Sequence, residues 1–459
     1  MLMGLYLAGP VVHASIARLQ KERIGCGSRR GEFMEDLGLQ LRSFVGLFAF
    51  IAMGWLLGPR KTVPVKLIGG ALALQFLIAI ALYSFAPTRA FLGSLTGVVQ
   101  ALQNATMTGV DFVFGYLSGG TAPFLMDDTN AGRTFIFAFQ ALPMVIVLSA
   151  LSALLWRWRI LEFVVRGFAW AFRKTLGLSG AASLGASANI FLGMTESPLL
   201  IRPRMPQISR SDLFLIMTVG FSTVAGSVMA IYVSQLSDVI DGAAGHIVTA
   251  SLISIPAAVL LARLMYPADV DDDEDLSTEK IPTTVYHSSM DALTTGVTDG
   301  VKLFINIIAM LIVFIAIVAL VNMMLGAFPD VSGAPLTVDR ILGWAFAPIV
   351  WLAGVPWSEA TDAGAVMGLK TALNEIIAYE RLGELGDNLS PRSHLIMAYA
   401  VCGFANFSSV GILIGGLLAI APSRREDILD LAPKALISGT FATLMTGAVI
   451  GVLPQSLFS

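Results

Sequence analysis

The sequence predicts an all-α polytopic membrane protein, and three observations carry that reading. Only 13% of the 459 residues are charged and 56% are hydrophobic, with a mean hydropathy of +0.77, whereas soluble domains carry roughly 25% charged residues. Eight apolar stretches approach the about 20 residues that a helix needs to cross the hydrocarbon core. Two further apolar stretches are interrupted near their middles by Gly, Pro and polar residues, which suits re-entrant helical hairpins better than spans.

The chain begins with an extension, residues 1–38, that does not fit a cleavable signal peptide. Its apolar start "MLMGLYLAGPVV" has no basic residue before it and runs into the charged "RLQKERIGCGSRRGEFMEDLG". The candidate spans follow at 40–58, 66–86, 134–156, 212–235, 245–266, 301–326, 394–421 and 434–455. Basic connections occur after the first span ("GPRKTVPVK"), after the third ("RWRILEFVVRGFAWAFRK"), before the fourth (Arg202 to Arg210) and before the last ("APSRREDILDLAPK"). Positively charged connections stay in the cytoplasm, and one orientation satisfies all four: the first span enters from outside and later spans alternate. The acidic "VDDDEDLSTEK" then also lies inside, at little cost.

Within 157–174, Arg157, Arg159, Arg166, Arg173 and Lys174 sit among Trp and Phe, the pattern of a helix lying in the cytoplasmic interface; an ordinary basic loop fits the charge rule equally well. The interrupted stretches are 176–208 and 338–383. Counting either as one crossing breaks the charge alternation, whereas a hairpin entering and leaving on one side preserves it. Non-helical backbone at membrane depth is tolerated only where it is buried in protein or lines a wet cavity, so the two hairpins are expected to surround a site.

An internal repeat links the two halves. Gly220-Phe221-Ser222-Thr223 aligns with Gly403-Phe404-Ala405-Asn406, and Ser227-Val228 with Ser409-Val410. "GMTE" ends in Glu196 and "TALNE" in Glu375; 25 positions separate Glu196 from Phe221, and 29 separate Glu375 from Phe404. The charge rule places the hairpins on opposite sides, so the repeats are inverted. Inverted repeats with helices broken at the midplane are the architecture of secondary transporters.

Intramembrane carboxylates cost roughly 2.5–3.5 kcal/mol on insertion scales and usually face a cavity or partner. Glu196 and Glu375 are therefore the leading candidate residues, the alternative being a structural hydrogen bond at each hairpin tip. Phe404 beside Asn406, Ser408 and Ser409 puts an aromatic face next to amide and hydroxyl groups, which suits a flat ring bearing several hydroxyls; taken singly, such serines mark close helix packing. Asn189 and Thr223 offer neutral oxygens near two expected helix breaks, as sodium requires, although buried Asn and Thr bonded to backbone are equally common. His13, His246, His287 and His394 all fall in or beside expected loops, and none reads as a proton relay. Cys26 and Cys402 make no disulfide framework, and CxxC, HExxH, GxSxG and P-loop spacings are lacking. Neither catalysis nor, with a net charge of -3 and no basic stripe, nucleic-acid binding is indicated.

"GMTESPLLI", "TVAGSVMA", "TALNEIIAY" and "CGFANFSSVGILIGGLLAIAP" together resemble the concentrative nucleoside transporters, in order and over about residues 40–455. The resemblance implies a bacterial member in the inner membrane: a homotrimer whose protomers combine a scaffold with an elevator-type transport domain, taking up nucleosides with sodium or, in some members, protons. It divides the chain into scaffold and interfacial helices at 39–174, a first transport repeat at 175–266, an acidic loop and scaffold helix at 267–337, and a second transport repeat at 338–459.

Carried over by position, the resemblance sets Met194, Thr195, Glu196, Val228 and Phe404 against the nucleobase. Glu375, Asn406 and Ser409 bond the ribose hydroxyls, with Asn374 as a neighbour. Sodium is assigned to the side chains of Asn189 and Thr223 and the carbonyls of Leu192 and Val224. Two departures stand out. Met194 occupies a position where the family has Gln, which removes one base-reading hydrogen bond and is expected to broaden or shift base selection. Ile376 replaces a common Phe and changes packing only. Competing functions are a proton-coupled nucleoside symporter, a carrier of free nucleobases, and a non-pumping membrane gate protein sharing the core.

Overall fold

The computed structural model describes residues 37–60, 64–120, 136–202, 204–268 and 286–458. The expected N-terminal extension with His13 and Cys26, and the acidic run, lie outside these residues almost entirely. Among the described residues, regular structure is helical, apart from one isolated bridge between Val331 and Ala334. Helices α1 (Leu37–Leu57), α2 (Val65–Ser84) and α3 (Ala86–Phe114) come first. Only extended Phe85 separates α2 from α3, and proline in the first turn of α3 starts the new helix where its missing N–H costs nothing. The 29-residue α3 was not among the expected spans, because Gln100, Gln103, Asn104, Thr108 and Asp111 dilute its apolar character.

A short turn, α4 (Phe137–Gln140), leads into α5 (Met144–Arg157) and α6 (Ile160–Leu176). Helix α6 is amphipathic: Leu161, Val165 and Phe172 are buried, whereas Phe163 and Trp170 are 81% and 67% exposed. Its Arg166 pairs with Glu162 at 2.7 Å. The segment read as an interfacial helix or a basic loop is thus helical over most of its length.

Next come α7 (Gly180–Ala188), α8 (Arg210–Ser222), α9 (Gly226–Leu236), α10 (Ala243–Met265) and α11 (Ser289–Leu325). The first interrupted stretch is asymmetric. It descends as α7 but returns through a single 3-10 turn, Ser197–Ile201, followed by further turns. Pro198 and Pro206 remove donors that a regular return helix would need. The second stretch is three helices: α12 (Val338–Ala353), α13 (Ala360–Ala372) and α14 (Glu375–Glu384). Helix α12 ends at Gly354, whose φ of +121° favours glycine, and packs along α13. The hairpin tip lies between α13 and α14, so the expected stretch 338–383 joins one separate helix to a hairpin.

The chain closes with α15 (Pro391–Val401), α16 (Phe407–Ile420) and α17 (Arg425–Val452). Among the described residues, seven helical segments are long and apolar enough to cross a membrane. The expected span 394–421 is the remaining one, split into α15 and α16. Helix α17 packs on α8, α10 and α15, which draws the broken helices of both repeats into one core. Arg263 on α10 bonds Asp212 on α8 at 2.5 Å, both nearly buried, and Ser179 donates to the same carboxylate at 2.5 Å.

Two histidines expected in or beside loops are buried at helix starts. His246 is in the first turn of α10, its Nδ1 2.8 Å from the Tyr83 hydroxyl and 3.0 Å from that of Tyr399. This cluster ties α2 to α10 and α15. His394 is likewise buried, in the first turn of α15. Helix α11, by contrast, packs on α5 through Gly296 and Gly300, where a Cβ would come within 2.7 Å of the α5 backbone. Among the described residues, none in its most apolar window is fully buried.

Candidate functional site

The first cluster grows from small residues. Ser179 caps α7, accepting the Ala182 N–H at 3.2 Å, and the Gly, Ala and Ser content of α7 lets it enter the core closely. Asn189 ends the helix. Its amide donates to the Gly185 carbonyl at 3.1 Å, but its Oδ1 is buried and receives no hydrogen bond among the described residues. The carbonyl oxygens of Leu192 and Val224 accept no backbone N–H among the described residues, and the Thr223 hydroxyl donates to the Val219 carbonyl at 2.9 Å, leaving its lone pairs open.

Backbone contacts hold these groups together. Helix α8 stops at Ser222 and α9 starts at Gly226. The Gly226 N–H donates to the Phe191 carbonyl at 3.1 Å, and a Cβ on Gly193 would lie 3.7 Å from that of Ala225. The hairpin end with Asn189 and Leu192 therefore abuts the helix break with Thr223 and Val224. Among the described residues no group of three His, Cys, Asp or Glu side chains could hold a metal. Neutral oxygens of this type suit a hard monovalent cation rather than a transition metal.

At the tip, Glu196 Oε2 accepts the Gly193 N–H at 3.2 Å, while the rest of the side chain is exposed. Met194 is buried and packs on Gly220, where a Cβ would come within 2.9 Å of the methionine's own. Thr195 lies against Gly416 of α16, a contact that leaves no room for a larger residue there.

The second cluster is built on helix N-termini. Asn374 caps α14, accepting the Ile377 N–H at 3.0 Å. Glu375 is then the first residue of α14, where the helix dipole favours a carboxylate. Glu375 is buried: Tyr232 on α9 donates to Oε1 at 2.9 Å, and the Asn406 amide donates to Oε2 at 2.8 Å. Asn406 also caps α16, its Oδ1 accepting the Ser409 N–H at 2.8 Å and the Ser408 hydroxyl at 3.0 Å. Val228 sits one turn before Tyr232 on α9, also buried.

The two clusters touch. The Phe404 N–H, in the break between α15 and α16, donates to the Thr223 carbonyl at 3.3 Å. One repeat's break is thus bonded to the other's. The contact between Thr195 and Gly416 of α16 gives a second bridge. The sequence reasoning missed Tyr232, although its spacing of four from Val228 puts both on one helix face. It also missed Lys370, a buried cation on α13. A cleft lined by Gln103, Met144 and Ser234 shares no residue with this site. An ionised carboxylate accepts about four hydrogen bonds, so Glu375 retains capacity for ligand hydroxyls.

Comparison with known proteins identifies the family. Residues 45–117 match the family described as "Na+ dependent nucleoside transporter N-terminus", residues 138–238 match "Nucleoside recognition", and residues 246–451 match "Na+ dependent nucleoside transporter C-terminus". The chain is 35% identical to an uncharacterized transporter, YutK, of Bacillus subtilis, over 90% of this chain and 99% of that one. It is 34% identical to the nucleoside permease NupC of Helicobacter pylori, over 90% and 97% respectively. Among solved structures, CNTnw in an inward-facing substrate-bound state superposes with a TM-score of 0.80 at 33% identity, covering 90% of this chain and 97% of that one. The chain is therefore a member of the concentrative nucleoside transporter family, a family of transporters and not of enzymes.

Proposed function

We propose that this protein is a secondary active symporter that imports nucleosides across the bacterial inner membrane, driven by a sodium gradient. The observation that carries the nucleoside reading is Glu375, a buried carboxylate held between Tyr232 and Asn406 at a helix N-terminus with acceptor capacity to spare. It bonds the ribose hydroxyls, helped by Asn406 and Ser409, with Asn374 fixing the helix start. The base lies toward Phe404, Val228 and the first hairpin tip, Met194, Thr195 and Glu196.

Sodium coupling is supported by the unpaired Asn189 Oδ1 together with the Leu192 and Val224 carbonyls and the Thr223 hydroxyl. These residues hold the ion at the junction of hairpin and broken helix, so that binding it fixes the break that faces the substrate. A homotrimer with an elevator motion accords with family membership and with the exposed apolar side chains of α11, such as Ile312, Met323 and Met324, which a neighbouring protomer or lipid must cover.

Counterflow in proteoliposomes tests the core of this reading. Vesicles preloaded with unlabelled uridine should accumulate labelled uridine transiently. A non-pumping gate does not exchange in this way, and a nucleobase carrier prefers uracil and tolerates loss of Glu375, Asn406 and Ser409. Uptake that follows a proton gradient in sodium-free buffer assigns the coupling to protons instead.

A further inference from the structure

Lys370 has no exposed surface, yet among the described residues it forms no ion pair with a carboxylate. Its ammonium donates to the Thr443 hydroxyl of α17 at 2.9 Å and reaches the Ala400 carbonyl at 3.5 Å. Ala400 belongs to the last turn of α15, the half-helix that stops at the break before Phe404 and Asn406. Free carbonyls make a helix C-terminus partially negative, and a cation there is stabilising.

The internal repeat gives this placement a meaning. Aligning Glu196 with Glu375 sets Lys370 against Phe191, between the proposed sodium ligands Asn189 and Leu192. In the first repeat, the proposed ion lies where α7 meets the C-terminal end of α8. In the second, the Lys370 ammonium lies where α13 meets the C-terminal end of α15. We infer that Lys370 is a tethered cation doing in the second repeat what the coupling ion does in the first: it neutralises the end of the broken helix and positions the second hairpin and Glu375 for the ribose.

This inference rests on the proposed sodium site for its symmetry and on the hydrogen bonds of Lys370 for its geometry. The groups facing the Lys370 and Glu375 region are Tyr232 from α9, Tyr379 from α14, Cys402 after α15, Asn406 at the start of α16 and Thr443 from α17. Lys370 is the only fixed cation among them. A buried ammonium without a bonded carboxylate is a poor choice for stability alone, whereas a fixed charge beside a broken helix and a ligand-binding carboxylate serves the site.

Uridine binding to the detergent-solubilised full-length protein, at saturating sodium and with thermal unfolding measured in parallel, tests the role. Lys370→Met, which keeps the stem without the charge, should bind uridine about tenfold or more weakly and fold normally. Lys370→Ala should show the same loss, partly recovered by methylammonium but not by choline. Wild-type affinity in Lys370→Met, or no methylammonium recovery in a folded Lys370→Ala, overturns the inference. If neither variant folds while Lys370→Arg does, the cation serves the fold and the positioning role is likewise overturned. A sodium titration of the wild type in the same assay keeps the two readings apart: binding indifferent to sodium removes the sodium site and leaves the Lys370 comparison intact.

Discussion

Tyr232 and Glu375, 143 positions apart in sequence, are joined by a hydrogen bond of 2.9 Å that runs from the first repeat to the second. The bond ties the carboxylate proposed to hold the ribose to a helix from the opposite half. Changes around the first break are therefore felt at Glu375 through α9 as well as through the Phe404 to Thr223 backbone bond.

Tyr232→Phe removes one donor to the carboxylate and leaves the ring packed on Tyr379, whose centroid is 4.8 Å away. A hydrogen bond to a charged group contributes about 1.5–3 kcal/mol. Uridine affinity is expected to fall by about ten- to a hundredfold, with expression and thermal stability close to wild type. Unchanged affinity would show that the bond does not position Glu375.

Asn406 serves both the fold and the site, and two substitutions separate the roles. Asn406→Ala loses the α16 cap, costing about 0.5–2 kcal/mol, together with the Glu375 bond, and should lower both Tm and transport. Asn406→Ser keeps a capping oxygen but removes the amide that bonds Glu375, so Tm should be nearly retained while uridine transport falls. Equal losses of Tm in both variants would place the residue in the fold alone.

Asn189→Ala deletes the unpaired buried Oδ1 and should raise the sodium concentration needed for half-maximal uptake severalfold while leaving maximal uptake at high sodium largely intact. The measurement is a sodium titration of uridine uptake. An unaltered titration curve removes Asn189 from the ion's ligands.

Met194→Gln tests base selection. Gln restores a group that donates to and accepts from a base edge, so the ranking of uridine, adenosine and guanosine uptake should change. Because Met194 is buried against Gly220, the new amide must turn toward the base to act, and an unchanged ranking means that it does not.

Much of this site is legible in the sequence because charge among apolar residues is conspicuous. Glu196 and Glu375 are each at a hairpin tip, and the Gly-Phe pairs mark both breaks. Tyr232 was missed because a tyrosine in an apolar helix is unremarkable until its distant partner is known. Lys370 was hidden in "GLKTALNE", where polar residues of the tip dilute its signal. The fold shows the same division. The long apolar helices follow from hydropathy, whereas α3 is too polar to register by that criterion, and the separate α12 is announced only by Gly354 and Pro356. His246 looked peripheral because it begins α10, but Tyr83 and Tyr399 enclose it, a fact of packing rather than of pattern.

The most direct measurement is uptake of labelled uridine into proteoliposomes containing the full-length protein, with sodium outside and potassium inside. Sodium-coupled import predicts accumulation above the external concentration that collapses when the sodium gradient is dissipated, and that Glu375→Gln abolishes. Equilibration without accumulation under an intact sodium gradient, or accumulation that persists in Glu375→Gln, would contradict it.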